Sequence, residues 1–154
     1  MALPYYKQET NYTCGPASFR MVMASLGFIY DETELKKLLK TSKIWGTLHK
    51  SFVEAAEKHK LNYVVKRNTE VNELRKALRK KKLAIVCYAM PPHEIYHYAV
   101  VKKVGLKYIY LLDPFLGPNC QYLLTDFVKF WKSDPKHEGD ERWFFAIENN
   151  KAVN

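Results

Sequence analysis

The chain has 154 residues, 47% apolar and 14% aromatic, with only 6 glycines and 7 prolines. This supplies the core of one domain over residues 1–154 and excludes a disordered or low-complexity chain. No apolar run approaches the ~20 residues that span a membrane, and the formal net charge of +9 invites the question of an anionic partner.

The first half has helical periodicity. Gly15 and Pro16 open a segment in which Phe19, Val22, Met23 and Leu26 recur at helical spacing, and Gly27 closes it. Asp31 with Glu34 has the pattern of a capping box ahead of Leu35, Leu38 and Leu39. Thr47 stands where it would cap a third helix burying Leu48, Phe52, Ala55 and Ala56. A short strand over 63–66 precedes a basic helix over 71–81. From residue 83 the pattern is strand-like, with β-branched and aromatic residues over 83–89, 97–103, 108–112, 121–124 and 143–148. One short helix over 125–132 interrupts them. Helices first and strands afterwards is an α+β pattern, with N-terminal helices packed on a C-terminal antiparallel sheet.

The basic residues Arg75, Lys76, Arg79, Lys80, Lys81 and Lys82 cluster tightly. Leu74, Ala77 and Leu78 give that helix an apolar face and leave its cations on the wet side. A nucleic-acid partner is therefore not expected, while acidic or phosphate-rich partners stay open. The N-terminus carries no charged leader followed by an apolar segment, so no signal peptide is expected. Three cysteines, Cys14, Cys87 and Cys120, are too few for a disulfide framework and lack zinc spacing. A reduced, cytoplasmic setting without a metal or cofactor is the expectation.

Cys14 lies at a loop-to-helix transition, in Thr13-Cys14-Gly15-Pro16-Ala17-Ser18. A thiol is a strong nucleophile only as thiolate, and a helix N-terminus stabilises that anion through its dipole and free N–H groups. A small buried cysteine that merely begins a helix would look the same locally. Cys87 sits inside an apolar strand, where burial makes a thiol inert, and Cys120 follows a turn at Gly117-Pro118-Asn119.

Five histidines compete as a base. His49 and His59 read as solvated surface, His137 lies in a polar loop, and His93 follows Pro91-Pro92. His97 begins a strand joined through Gly105 to the strand that ends at Asp113. A turn centred on Gly105 would pair Val101 with Ile109, Ala99 with Leu111 and His97 with Asp113. Directly opposite residues share a sheet face, so a carboxylate would stand beside the imidazole and fix its tautomer. The Cys14 backbone N–H, with Gln8 reaching back from six residues earlier, could donate to an oxyanion.

Gln8, the run TCGPAS around Cys14, HYAVV from His97 and LLDP containing Asp113 together resemble the C39 peptidase family and its C39-like relatives. The middle segment WGTLHKSFVEAAEKHKL is also similar to that family's glycine-threonine turn and following helix. The resemblance implies a papain-like fold and metal-independent hydrolysis of a peptide through an acyl-enzyme. It makes Cys14 the nucleophile, His97 the general base, Asp113 its orienter and Gln8 the oxyanion donor. Family members best known for processing leader peptides cut after a double glycine and often precede a membrane exporter. Here Thr13 replaces the aspartate those members usually carry, and no transporter span follows, so the likeness is to the stand-alone branch with its diverse substrates. An acyl or γ-glutamyl transferase would use the same residues, and a silent peptide-binding module would keep the fold alone. The oligomeric state is not legible.

Overall fold

A computed structural model describes residues 3–149; the ends of the expected domain, residues 1–2 and 150–154, lie outside the described residues. Three helices come first, α1 (Cys14–Ser25), α2 (Glu32–Leu38) and α3 (His49–Lys58), then strand β1 (Tyr63–Lys66) and helix α4 (Val71–Arg79). Strands β2 (Leu83–Met90), β3 (Ile95–Val104), β4 (Tyr108–Asp113) and β5 (Gly117–Leu123) follow. Helix α5 (Leu124–Phe130) and strand β6 (Phe144–Ile147) complete the set. All strand pairings are antiparallel, in the order β1-β6-β2-β3-β4-β5. The expected α+β class is the one observed.

Every residue of β2 is buried because helices cover both faces of the sheet. Ile85 and Cys87 join Phe19, Leu35 and Phe52 of α1, α2 and α3 in one core. Ala84, Val86 and Tyr88 join Leu74 of α4 and Phe127 of α5 in the other. Alternation along one strand thus feeds two cores. Sequence reading put β1 in the helical half, but its position in space is the sheet edge beside the last strand, β6.

Local signals mostly hold. The Asp31 side chain accepts from the Glu34 amide at 2.8 Å, and the Glu34 carboxylate takes the Asp31 amide in return. Gly27 follows α1 at φ 94, a left-handed conformation that closes a helix without a Cβ penalty. Thr47 does not cap α3. Its hydroxyl bonds Thr41 Oγ1 at 2.7 Å, and Leu48, at the N-cap position, offers no side-chain cap. The orphan N–H of His49 is instead taken by the Glu138 carboxylate, at 2.6 Å, from 89 residues away. Cys120, expected in a turn, lies within β5 opposite Leu111.

The β3–β4 hairpin departs from the expected register. Val100 pairs with Leu112 and Val101 with Leu111, while nearer the turn Lys103 pairs with Tyr110. A bulge between Val101 and Lys103 absorbs the extra residue. Asp113 is therefore two residues out of the predicted direct pairing with His97. A shift of two preserves the sheet face, so the side chains still meet.

At Gly15, α1 packs tightly against the α2–α3 connection. A Cβ added there would stand 2.2 Å from Thr47 Oγ1 and 2.6 Å from Thr47 Cβ. Gly15→Ala is expected to displace Thr47 and destabilise the fold by about 1–3 kcal/mol, measured as a lower urea midpoint at unchanged slope. An unchanged midpoint would contradict this close approach.

Candidate active site

Cys14 is the first residue of α1 and is partly exposed. No side chain caps this helix, because Thr13 Oγ1 is bonded to Thr10 Oγ1 at 2.8 Å and accepts the Thr10 amide at 3.1 Å. The first-turn N–H groups are thus left near the sulfur. Cys14 and His97 line one cleft of about 230 Å³, together with Tyr12, Trp45, Ile95 and Glu138.

His97 projects from β3 and is only 4% exposed. Its Nε2 lies 2.7 Å from Asp113 Oδ1, at the end of β4. Asp113 is fully buried and is held by four donors. Oδ1 also accepts the Phe115 and Leu116 amides, each at 2.9 Å, while Oδ2 accepts the Tyr88 hydroxyl in a short bond. Tyr88 pairs with His97 across β2 and β3, and their rings meet edge-on with centroids 5.8 Å apart. Sequence reading missed Tyr88. A β2–β3 turn centred between Pro92 and His93 puts it opposite His97.

The charges follow from these contacts. Burial works against the Asp113 carboxylate, but the His97 bond and charge, with Tyr88 and the Leu116 amide, bring its pKa below the usual 3.8. The stability it contributes is present above that ordinary value and is lost as pH falls through its lowered one. Burial likewise opposes the His97 imidazolium. Burial is the largest single influence, but the charge interactions and hydrogen bonds with Cys14 and Asp113 together outweigh it and push the ring up to about 10. Stability from His97 is present below its ordinary 6.5 and lost as pH rises through about 10. Burial pushes the other two thiols up, Cys87 far above the ordinary thiol range and Cys120 to about 11.

Gln8 is brought to the same region by its backbone, whose N–H donates to the Pro114 carbonyl at 2.9 Å. Its side-chain Nε2 donates to the Thr10 carbonyl at 2.7 Å, and its Oε1 is buried without a partner. Gln8 is not among the residues lining the cleft.

His49 is not the solvated residue its charged neighbours suggested. It is 3% exposed and stacks on Trp143 with centroids 3.9 Å apart. Its Nδ1 meets the Tyr98 hydroxyl and its Nε2 meets Ser133 Oγ, each at 2.7 Å. Burial, with Arg67 nearby, brings its pKa down to about 3, so the ring is neutral. His59 is half-buried and bonded to the Tyr30 hydroxyl at 2.6 Å. His49, Glu138 and Asp140 offer donor atoms within 4.8 Å of one another. Both ring nitrogens of His49 are already engaged and Asp140 pairs with Arg67 at 3.2 Å, so the trio reads as a polar network. That network holds the wall of the cleft against α3.

The Cys14→Ala variant removes the main influence that raises the His97 pKa and leaves burial opposed by Asp113 alone. The imidazole of wild-type protein should stay protonated up to about pH 10, and that of the variant should titrate at lower pH. Nitrogen-15 NMR of the ring measures this directly. Identical titrations would show that Cys14 and His97 do not interact.

Residues 2–133 match the model of the peptidase C39 family. An uncharacterized protein of Methanothermobacter thermautotrophicus is 32% identical over 110 residues, 71% of this chain and 70% of that protein. Among solved structures, the peptidase domain of Streptococcus ComA, a bifunctional ABC transporter of a quorum-sensing pathway, superposes with a TM-score of 0.76 at 21% identity. The superposition covers 96% of this chain and 98% of that one. A double glycine motif protease from an AMS/PCAT transporter, solved with its leader peptide, gives 0.73 at 19% identity over 96% and 92%. A C39-like peptidase from Bacillus anthracis gives 0.73 at 12% identity over 94% of both chains. The papain-like fold is common to them, and by the extent of the family match this chain belongs to the peptidase C39 family.

Proposed function

We propose that the protein is a cysteine peptidase that hydrolyses a peptide bond through an acyl-enzyme on Cys14. The observation that carries this reading is the buried His97–Asp113 pair, 2.7 Å apart, opening onto the same cleft as the cysteine at the start of α1. In this reading the Cys14 thiolate attacks the scissile carbonyl carbon, and the carbonyl electron pair moves onto oxygen. As the C–N bond breaks, His97 gives its proton to the departing amine. His97 then takes a proton from water, whose oxygen attacks the thioester and releases the acid, restoring the thiolate–imidazolium pair. Asp113 stays ionised throughout and fixes the ring so that its other nitrogen serves sulfur and substrate.

The oxyanion would accept the Cys14 amide and the Gln8 side chain. For the second donor, the Gln8 amide turns away from Thr10; its buried Oε1 has no bond to lose in that movement. A peptide substrate is supported by the leader peptide bound to the AMS/PCAT relative. The exposed Ile44, Trp45 and Ile95 along the cleft add an apolar rim for such a segment. Processing of a leader or another specific peptide fits this rim better than general digestion.

Turnover of a peptide library tests the assignment. Cys14→Ala and His97→Ala should abolish cleavage. Asp113→Asn should lower kcat by roughly a hundredfold or more with little change in KM, because the wrong tautomer is held in an intact site. A thermal melt of each variant separates lost chemistry from lost fold. EDTA should leave turnover unchanged. Wild-type kcat in Asp113→Asn, or activity restored only by added zinc, would overturn the mechanism.

A further inference from the structure

The net charge of +9 is not spread over the molecule. Residues 75–82 and 102–107 hold nine of the 25 basic residues and no acidic one, so the other sixteen match the sixteen carboxylates. The fold brings these two segments together. Arg75 of α4 donates from Nη2 to the Gly105 carbonyl in the β3–β4 turn, at 3.0 Å. A groove of about 370 Å³ between them is lined by Arg75, Arg79, Lys102 and Lys103 with Leu78 and Leu106. A second groove of about 370 Å³ continues from Lys102 and Lys103 across to β5. No carboxylate lines either one. Leu106, between these lysines at the hairpin tip, is 98% exposed.

We propose that this face docks the protein on an anionic lipid surface. The α4 cations and Lys102, Lys103 and Lys107 would lie against the headgroups, and Leu106 would enter the acyl boundary. The charge alone would suit any polyanion, since each such cation gains from a negative surface within a Debye length. The projecting leucine selects lipid. A nucleic acid offers nothing that rewards an apolar tip at this position, whereas a membrane interface presents anionic groups above an apolar phase. The aromatics of this hairpin, Tyr108 and Tyr110, are half-buried with centroids 6.3 Å apart, and Lys103 lies 5.8 Å from the Tyr110 centroid, so neither stands out as a platform for stacking bases. His97 and Lys103 are six residues apart on β3, roughly 20 Å at strand rise. The candidate active site therefore stands clear of the docked face, and this inference does not depend on catalysis.

Co-sedimentation of the full chain with sucrose-loaded vesicles tests it. Binding is expected to vesicles of phosphatidylcholine and phosphatidylglycerol, mixed about three to one, and not to phosphatidylcholine alone. It should be lost at about 0.5 M salt. Lys102→Gln and Arg79→Gln should each weaken binding about fivefold. Leu106→Ser should weaken it roughly tenfold while keeping the salt dependence of wild type. Equal binding to neutral vesicles, or unchanged affinity in Leu106→Ser, would overturn the proposal. So would binding of an RNA duplex by a chain that leaves the anionic vesicles unbound.

Discussion

A carboxylate with no exposure to water is the constraint around which the site is organised. Removing the Asp113 charge from solvent costs several kcal/mol unless the fold supplies partners for both oxygens. Four donors do so, from three parts of the chain. Tyr88 belongs to β2 and His97 to β3, while the Phe115 and Leu116 amides form the turn into β5. Hydrogen bonds to a charged group are worth about 1.5–3 kcal/mol each, so losing any one leaves a buried charge partly unpaired. The same turn anchors the N-terminal segment, through the Tyr5 hydroxyl on the Asp113 carbonyl and the Gln8 amide on that of Pro114. The loop that delivers Cys14 is thus tied to the residue hydrogen-bonded to His97. Local precision of this kind is what a preorganised site requires.

Much of this was legible in the sequence because it is local or has short period. The start of α1 at Cys14 follows from Gly15, Pro16 and the helical spacing after them, and the capping box at Asp31 is a four-residue pattern. Sharing of one face by His97 and Asp113 needs only strand parity, which survives the two-residue error in register. The bulge between Val101 and Lys103 was not legible, since nothing in the run Val-Val-Lys-Lys marks the extra residue. His49 misled for the opposite reason. Its lysine and glutamate neighbours describe the outer face of α3, while its own environment is built by Tyr98, Ser133 and Trp143 from the second half of the chain. Thr47 lost its capping role to Glu138 in the same way, through a contact 89 residues long.

The charge distribution adds an axis to the molecule. One end of the sheet holds the cleft, which Glu138 lines together with Cys14, and burial with nearby Asp140 pushes the glutamate up to about 7. The other end holds the cationic hairpin and the wet face of α4. Amphipathicity explains why those cations are outside, since Leu74 and Ala77 fill the core beneath them. It does not explain why a neutral remainder of the chain leaves its whole excess charge there. Among the described residues no helix is long and apolar enough to cross a membrane. Attachment through this face would rest on its cations and so be sensitive to salt.

The central claim is that the buried His97–Asp113 pair makes Cys14 the nucleophile of the molecule. Intact-mass measurement after brief exposure to a peptide carrying a carbonyl-reactive group tests it most directly. The account predicts a single adduct, mapped to Cys14, absent from Cys14→Ala and slower to form in Asp113→Asn. Labelling of Cys87 or Cys120 in preference to Cys14, or the same rate in wild type and Asp113→Asn, would contradict it.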